Sequence, residues 1–380
     1  MKTKVSLLHT EPSPSLESVC DHVRRCTALI GGLHSFLSRD SRVMVKPNVG
    51  TISSPQEARN TDPRVIEAML LLLKEIQVKK IVIAESSIVG TDTFEAFKAM
   101  GIDDLSRRYK TELVDLKKEP SITKRVPSPY VFPSIHVSSR LEKVDVIINL
   151  PKLKTIAATP VSMGLKNLKG FLPDKEKKRF HHVHLSRGLA DLSQIIKPQF
   201  TLIDGIVSSE LYEPKETNVL FASRDVIAAD SVASRAAGFD PAEIEYLRLA
   251  SEAGAGTMDR DSLEIVGDSL EETHLDLKQT LDYAEAFAAS FPGIKIVEGG
   301  PCSGCTGALY FSLKKARTLG LLDKIGDLTL VVGTKVENMP SGENILCIGN
   351  CTKKLGGKHF LPGCPFINAE FCDYIEQHFV

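Results

Sequence analysis

The chain has 380 residues, 42% apolar and 25% charged, with a formal net charge of −1, eight cysteines and no tryptophan. That length allows roughly two or three domains with buried cores, and the balanced charge gives no general drive toward nucleic acid. The longest apolar run, residues 69–73, is stopped by Lys74 and Glu75, far short of the roughly eighteen residues that a membrane span needs, so no membrane segment is expected.

Short runs rich in valine and isoleucine alternate with longer amphipathic segments, which predicts an α/β fold with a largely parallel sheet and flanking helices. In chain order the expected strands are 43–46, 80–84, 112–116, 144–150, 200–203, 219–222 and 263–266, and the expected helices are 63–76, 92–100, 185–196, 226–237 and 241–253. Asp62-Pro63 and Asp240-Pro241 each set an N-cap before a proline at the first helical position. This anion-binding domain is expected over 1–270, followed by a charged connector over 271–292 with a helix near 281–290. A smaller α/β cluster-binding domain then occupies 293–380: strand 294–298, a Cys302/Cys305 loop, helix 308–318, strands 329–332 and 345–348, and loops carrying Cys351 and Cys364.

Those four cysteines read as a thiolate cage. In Gly299-Gly300-Pro301-Cys302-Ser303-Gly304-Cys305, two intervening residues let both sulfurs turn toward one metal centre while the glycines let the backbone wrap it. Cys351 follows Gly349-Asn350, and Cys364 stands between Gly363 and Pro365, as ligand cysteines precede proline in bacterial ferredoxins. A 4Fe-4S cluster is the expected cofactor and a structural zinc the alternative. Zinc sites usually pair two short knuckles, whereas here the second half is two isolated cysteines with twelve residues between them. Both halves follow apolar strands, which puts them at one end of a small sheet, where open α/β folds bind ligands. Cys347 reads as a buried strand thiol, and Cys20, Cys26 and Cys372 as core or surface cysteines. Residues 1–9 hold too short an apolar run for a secretory signal, which predicts a reducing, cytoplasmic setting without disulfides.

In the first domain, Val43-Met44-Val45-Lys46-Pro47-Asn48-Val49-Gly50 delivers Lys46 and Asn48 from a strand into a loop. Asn149-Leu150-Pro151-Lys152-Leu153-Lys154-Thr155 does the same with Lys152 and Lys154, and Lys166 and Asn167 follow within Gly164–Gly170. His181, His182 and His184 precede a helix. Lysines, glycines and helix N-termini together suit a small anionic molecule. Lys46, Lys152, Lys154 and Lys166 are expected to neutralise it and Asn48 and Asn167 to orient it, with Lys166, His184 and Asp204 as the catalytic group, His184 or Asp204 moving a proton. Lys169, Lys175, Lys177 and Lys178 read as surface lysines. Asp204 ends a buried strand and Asp230 lies in an apolar helix, so each must be paired or protonated. Each either orients a lysine or satisfies backbone donors. His182 and His184 would share a face on a strand, but spacing assigns the histidines no carboxylate partner, so a metal role is not expected of them.

These motifs resemble, over most of the chain, the family catalogued as domain of unknown function 362. The landmarks are Lys46-Pro47-Asn48, Thr61-Asp62-Pro63, Glu85-Ser86, Pro151-Lys152-Leu153-Lys154-Thr155, Gly164-Leu165-Lys166-Asn167-Leu168-Lys169-Gly170, Ile203-Asp204-Gly205 and Asp230-Ser231-Val232. Ile156 stands where members often carry a histidine, so a role built on that histidine does not carry over. The C-terminal unit is similar to the proximal-cluster region of nickel–iron hydrogenase small subunits, which implies Cys302, Cys305, Cys351 and Cys364 as the four ligands of a 4Fe-4S cluster; hydrogen chemistry is not implied, since no active-site motif is present.

The expectation is an iron–sulfur redox enzyme or electron-transfer component that acts on a small anionic substrate or second cofactor, with a ferredoxin-type electron partner. The alternative is a non-redox protein that binds or isomerises an anion and uses 4Fe-4S or zinc as a structural staple. Nucleic-acid binding is not expected, because the basic run 175–184 lacks interleaved aromatics. The sequence is compatible with a homodimer without fixing one.

Overall fold

The computed structural model describes residues 2–156, 159–278, 290–301, 303–366 and 368–380. The chain divides into two compact units, one ending at Lys278 and the other beginning at Gln279.

In the first unit the strands are β1 (Thr3–His9), β2 (Arg42–Pro47), β3 (Lys80–Glu85), β4 (Glu112–Asp115), the hairpin β5 (Ser121–Arg125) and β6 (Ser134–Ser138), β7 (Val146–Leu150), β8 (Lys152–Ile156), β9 (Thr159–Ser162), β10 (Phe200–Glu210), β11 (Glu213–Ser223) and β12 (Leu263–Gly267). The main sheet runs β12-β1-β11-β10-β7-β2-β3-β4, with β8 and β9 added beside β10. From β10 through β4 every neighbouring pair is parallel, which is the largely parallel sheet that the sequence pattern predicts.

Alternation along the strands explains the layers. Val43, Val45, Ile81, Ile83, Val146, Ile148 and Leu202 enter one apolar cluster, and Met44, Val82, Ala84, Ile147 and Ile203 the other. Side chains of a strand point to opposite faces, so both faces of this sheet are buried. Helices α1 (Leu16–Leu29), α2 (Pro63–Ile76), α3 (Thr93–Ala99) and α4 (Ile102–Tyr109) cover the first face. The other carries α5 (Gly164–Asn167), α6 (Asp174–Val183), α7 (Leu185–Ile195), α8 (Val226–Ala236) and α9 (Glu245–Glu252). Helix α2 starts as its sequence dictates: the Asp62 side chain accepts from Arg64 N and Pro63 takes the first position. Each fully buried leucine or methionine on its inner face, such as Met69 and Leu70, contributes about 2 kcal/mol.

The second unit is a four-stranded parallel sheet, β13 (Ile294–Gly299), β14 (Leu328–Gly333), β15 (Ile345–Ile348) and β16 (His359–Leu361), in that order. Helices α10 (Ser303–Thr318), α11 (Leu322–Ile325) and α12 (Asn368–Phe379) accompany it. Leu309, Leu313, Phe371 and Ile375 share its core with Leu330, Leu346 and Ile348.

Several expected elements are corrected. Asp240-Pro241 opens a turn in which Ala242 N donates to Asp240 Oδ1, and α9 begins only at Glu245. Residues 174–183 are helical, so His182 is on α6 rather than a strand. Lys177 is buried, not a surface residue, because Nζ donates to the carbonyls of Ser86 and Ser87. Within the expected connector, Leu275 and Leu277 pack into the core of the first unit and Leu275 N donates to Ala236 O. The helix expected at 281–290 falls, apart from its last residue, outside the described residues.

Candidate functional site

The polar residues singled out in the sequence gather at the carboxyl ends of the parallel strands. Lys46 and Asn149 are register partners on β2 and β7, and Thr201 on β10 is the partner of Asn149. Here β7 stops at Leu150, the chain steps over Pro151, and β8 continues alongside β10 so that Lys152 faces Asp204 in register. Asp204 N donates to Pro151 O at 2.8 Å, which fixes that step. A place where the pairing partner of a strand changes, at carboxyl strand ends, is where open α/β sheets open a ligand crevice.

Lys46 is fully enclosed. Its Nζ donates to Glu85 Oε2 (2.7 Å), Pro47 O (2.8 Å) and Asn167 Oδ1 (3.4 Å). Burial pushes its pKa down while Glu85 opposes that shift. Glu85 also accepts from Val49 N and Ser86 N, so the carboxylate is fully used. Gly170 closes over this pair: a Cβ there would stand 2.0 Å from Glu85 Oε1 and 2.5 Å from Lys46 Nζ. Only a residue without a side chain fits, which is the local reason for the glycine that ends the Gly164–Gly170 run.

Asn167 ties the strand ends together. Its Nδ2 donates to Asn149 Oδ1 (2.8 Å), and its Oδ1 accepts from Asn48 Nδ2 (3.1 Å). Asn48 Oδ1 is a buried acceptor with no donor among the described residues. The turn carrying Asn167 is held from beneath by Asp230, which accepts from Gly164 N (2.7 Å) and Leu165 N (2.9 Å). Desolvation raises the Asp230 pKa to about 7 despite those two donors. Of the two roles open to the aspartates, Asp230 therefore satisfies backbone donors and Asp204 orients a lysine: Lys152 Nζ donates to Asp204 Oδ2 at 2.8 Å, and Asp62 N donates to the same oxygen at 2.7 Å.

Beyond these matched pairs lie further lysines, crowded together and partly desolvated. Lys166 Nζ donates to Thr159 Oγ1 (3.0 Å); burial and then the charges of Lys169 and Lys154 drive its pKa far down. Lys169 Nζ donates to His181 Nε2 (2.7 Å), and burial followed by Lys169 and Lys166 pushes His181 down to about 2, so its ring is neutral and accepts. Lys154 is half-buried. Desolvation, then Lys152, lowers it to about 7, against weaker support from Glu85 and Asp204. It has no hydrogen-bond acceptor or ion-pair partner among the described residues. Lys169, expected at the surface, is part of this group, and His181, expected on a loop, meets it from helix α6. His184 stands apart: it caps α7 by accepting from Arg187 N, and its Nε2 lies 3.8 Å from Glu245 Oε1. A separate hollow of about 350 Å³ at the amino ends of β3 and β4 is edged by Lys74, Lys79, Lys80 and Lys110, all exposed.

In the second unit Cys305, Cys351 and Cys364 all follow carboxyl ends of parallel strands, those of β13, β15 and β16. Cys302, expected as the first ligand, lies outside the described residues. Gly349, at φ +82°, lies against two sulfurs: a Cβ there would sit 3.6 Å from Cys351 Sγ and 3.7 Å from Cys305 Sγ. The Cys351 and Cys364 loops are clasped by Asn350 N donating to Gly363 O and Gly363 N donating to Asn350 Oδ1, each at 2.9 Å. Among the described residues no group of three or more His, Cys, Asp or Glu side chains stands ready to hold a metal ion. Cys347 is a buried strand thiol whose Sγ contacts Met339 Sδ at 3.6 Å.

An open, largely parallel α/β sheet with interlocked lysines and asparagines at its carboxyl strand ends defines the first unit as an α/β protein with a cationic candidate ligand site. The chain belongs to the family described as domain of unknown function (DUF362), matched over residues 43–235, a span holding the lysines and asparagines of the first unit's candidate site. It is 29% identical over 265 residues to a thylakoid-associated protein of Synechocystis sp., covering 67% of this chain and 80% of that one. Among solved structures it is similar to the lactate racemase apoprotein from Thermoanaerobacterium thermosaccharolyticum, with 12% identity, a TM-score of 0.43 and coverage of 100% of this chain and 81% of that one. It is also similar to a structural-genomics target from Thermotoga maritima, with 12% identity, a TM-score of 0.33 and coverage of 64% and 60%. No described helix is long and apolar enough to cross a membrane.

Proposed function

We propose that the first unit binds a small anionic molecule at the lysine cluster and that the second carries a 4Fe-4S cluster, so that the chain works as an iron–sulfur protein on an anionic substrate or second cofactor. The observation that carries the anion site is Lys154. The nearby carboxylates Glu85 and Asp204 are committed to Lys46 and Lys152, which leaves the amines of Lys154 and Lys166 without a carboxylate partner among the described residues, inside a partly desolvated region. Like charges brought together at low solvent access are unfavourable unless an anion joins them. Lys154 and Lys166, charged once the anion is bound, neutralise it, and Asn48 Oδ1 accepts a hydrogen bond from a hydroxyl on it.

Titration calorimetry with oxalate and with inorganic phosphate tests this reading. Binding weakened about tenfold or more by Lys154→Met is expected, from the loss of one charge-assisted contact. Equal affinity in wild type and variant would overturn it.

For the second unit, the convergence of Cys305 and Cys351 on Gly349 supports a thiolate cage, with Cys302 and Cys364 completing it. A bound 4Fe-4S cluster supplies one-electron transfer, exchanged with a ferredoxin-type partner. Purification without oxygen should give iron and sulfide in comparable amounts and a colour bleached by dithionite, both diminished in Cys351→Ser. Colourless protein with zinc would establish the structural alternative instead.

A further inference from the structure

Lys154 differs from its neighbours in what occupies its amine. The Nζ atoms of Lys46, Lys152, Lys166, Lys169 and Lys177 each donate to a protein acceptor, whereas that of Lys154 has none among the described residues and keeps part of its surface accessible. It sits on β8 between two fixed points. Its partner Ser209 on β10 and its partner Ser162 on β9 hold the backbone, and Lys152, two residues earlier, is pinned to Asp204. The charged groups that act on it are Lys152 on the same strand, Glu85 at the end of β3, Arg59 before α2, Asp204 on β10 and Lys166 on α5. The cations dominate locally, since both carboxylates are already ion-paired.

We propose that Lys154 is a nucleophile that condenses with the carbonyl of a small 2-oxo acid, whose carboxylate is held by the surrounding lysines. This rests on the anion-binding reading and names the substrate class of the same site. The Lys154 Nζ lone pair adds to the carbonyl carbon to form the C–N bond, the C–O bond breaks, and the two amine hydrogens leave with the carbonyl oxygen as water. No oxidant or reductant is consumed. A lysine becomes a nucleophile near neutral pH when desolvation and a second cation strip its proton, and burial together with the charges of Lys152 and Arg59 provides both conditions. Lys154 at about 7 is half neutral near physiological pH, where an ordinary lysine holds less than about one part in a thousand as free amine.

The test uses the full chain, pyruvate and sodium cyanoborohydride, followed by peptide mass mapping. Labelling at Lys154 is expected to exceed that of any other lysine by about tenfold or more and to rise from pH 6 to pH 8 as the amine loses its proton. Lys154→Arg keeps the charge but has no condensing amine, so the dominant label should vanish while the melting curve stays cooperative. Oxalate, which presents carboxylates but no ketone, is titrated in parallel. Oxalate binding without selective labelling of Lys154 overturns the imine while leaving the anion site standing. Absence of both removes the anion site and the imine together. Equal labelling of many lysines, unchanged in Lys154→Arg, also overturns the nucleophile.

Discussion

At the residue scale the site is built from a buried ion pair that a glycine makes room for. Removing one partner of such a pair leaves the other as an uncompensated buried charge, so Glu85→Ala should lower stability by about 3–5 kcal/mol, measured by urea unfolding. Gly170→Ala should lower it by about 2–3 kcal/mol, because a methyl group cannot share space with Glu85 Oε1 and Lys46 Nζ. Asp230 sets a pH dependence. Its folded pKa near 7 stands above the ordinary aspartate value of 3.8, so between those values the folded state holds more protons than the unfolded one and stability falls as pH rises, levelling off above about 7. Asp230→Asn should flatten that slope in unfolding curves taken at pH 5 and pH 8. Lys154 sets the opposite kind of dependence, on binding: anions need its ammonium, so oxalate affinity should be flat below pH 7 and weaken by up to about tenfold per unit above it. Affinity constant to pH 9 would show that Lys154 does not contact the anion.

At the scale of elements, much was legible because several strands are continuous Val/Ile runs and α2 carries both an N-cap and a first-position proline. The two elements that matter most for the site were not. Strand β8 reads as a basic loop, since Lys152, Lys154 and Thr155 have no apolar alternation; it is a strand because β10 extends past β7 and offers backbone partners. Helix α6, Asp-Lys-Glu-Lys-Lys-Arg-Phe-His-His-Val, buries Glu176, Lys177 and Phe180, so a charged residue sits where a periodicity argument looks for leucine. Helix α1 carries readable signals of its own: Ser15 caps it, and Val19, Val23 and Cys26 recur on one face. The second Asp-Pro pair misled because a capping aspartate also opens a turn. The Lys152–Asp204 register carries its own consequence. Asp204→Asn keeps an acceptor for Asp62 N but leaves the Lys152 ammonium without its anion, so it should destabilise the protein by about 2–4 kcal/mol and misplace β8. Oxalate binding unaltered in that variant would separate the strand from the site.

For the whole molecule, the sequence announced two α/β units and placed chemistry at strand ends in both, which follows from parallel sheets presenting their loops at the carboxyl edge. It did not announce which lysines are spoken for. Lys46, Lys152 and Lys154 look alike in the chain, and only the fold separates the first two, each neutralised by a carboxylate, from the third. An anion held at the uncommitted amine of Lys154 is the central claim, and a crystal of the protein soaked in selenate tests it most directly through the anomalous signal of selenium. The account predicts a selenate within hydrogen-bond distance of Lys154 Nζ and close to Lys166, lost in Lys154→Met. Selenate bound elsewhere on the surface, with none beside Lys154, would contradict it.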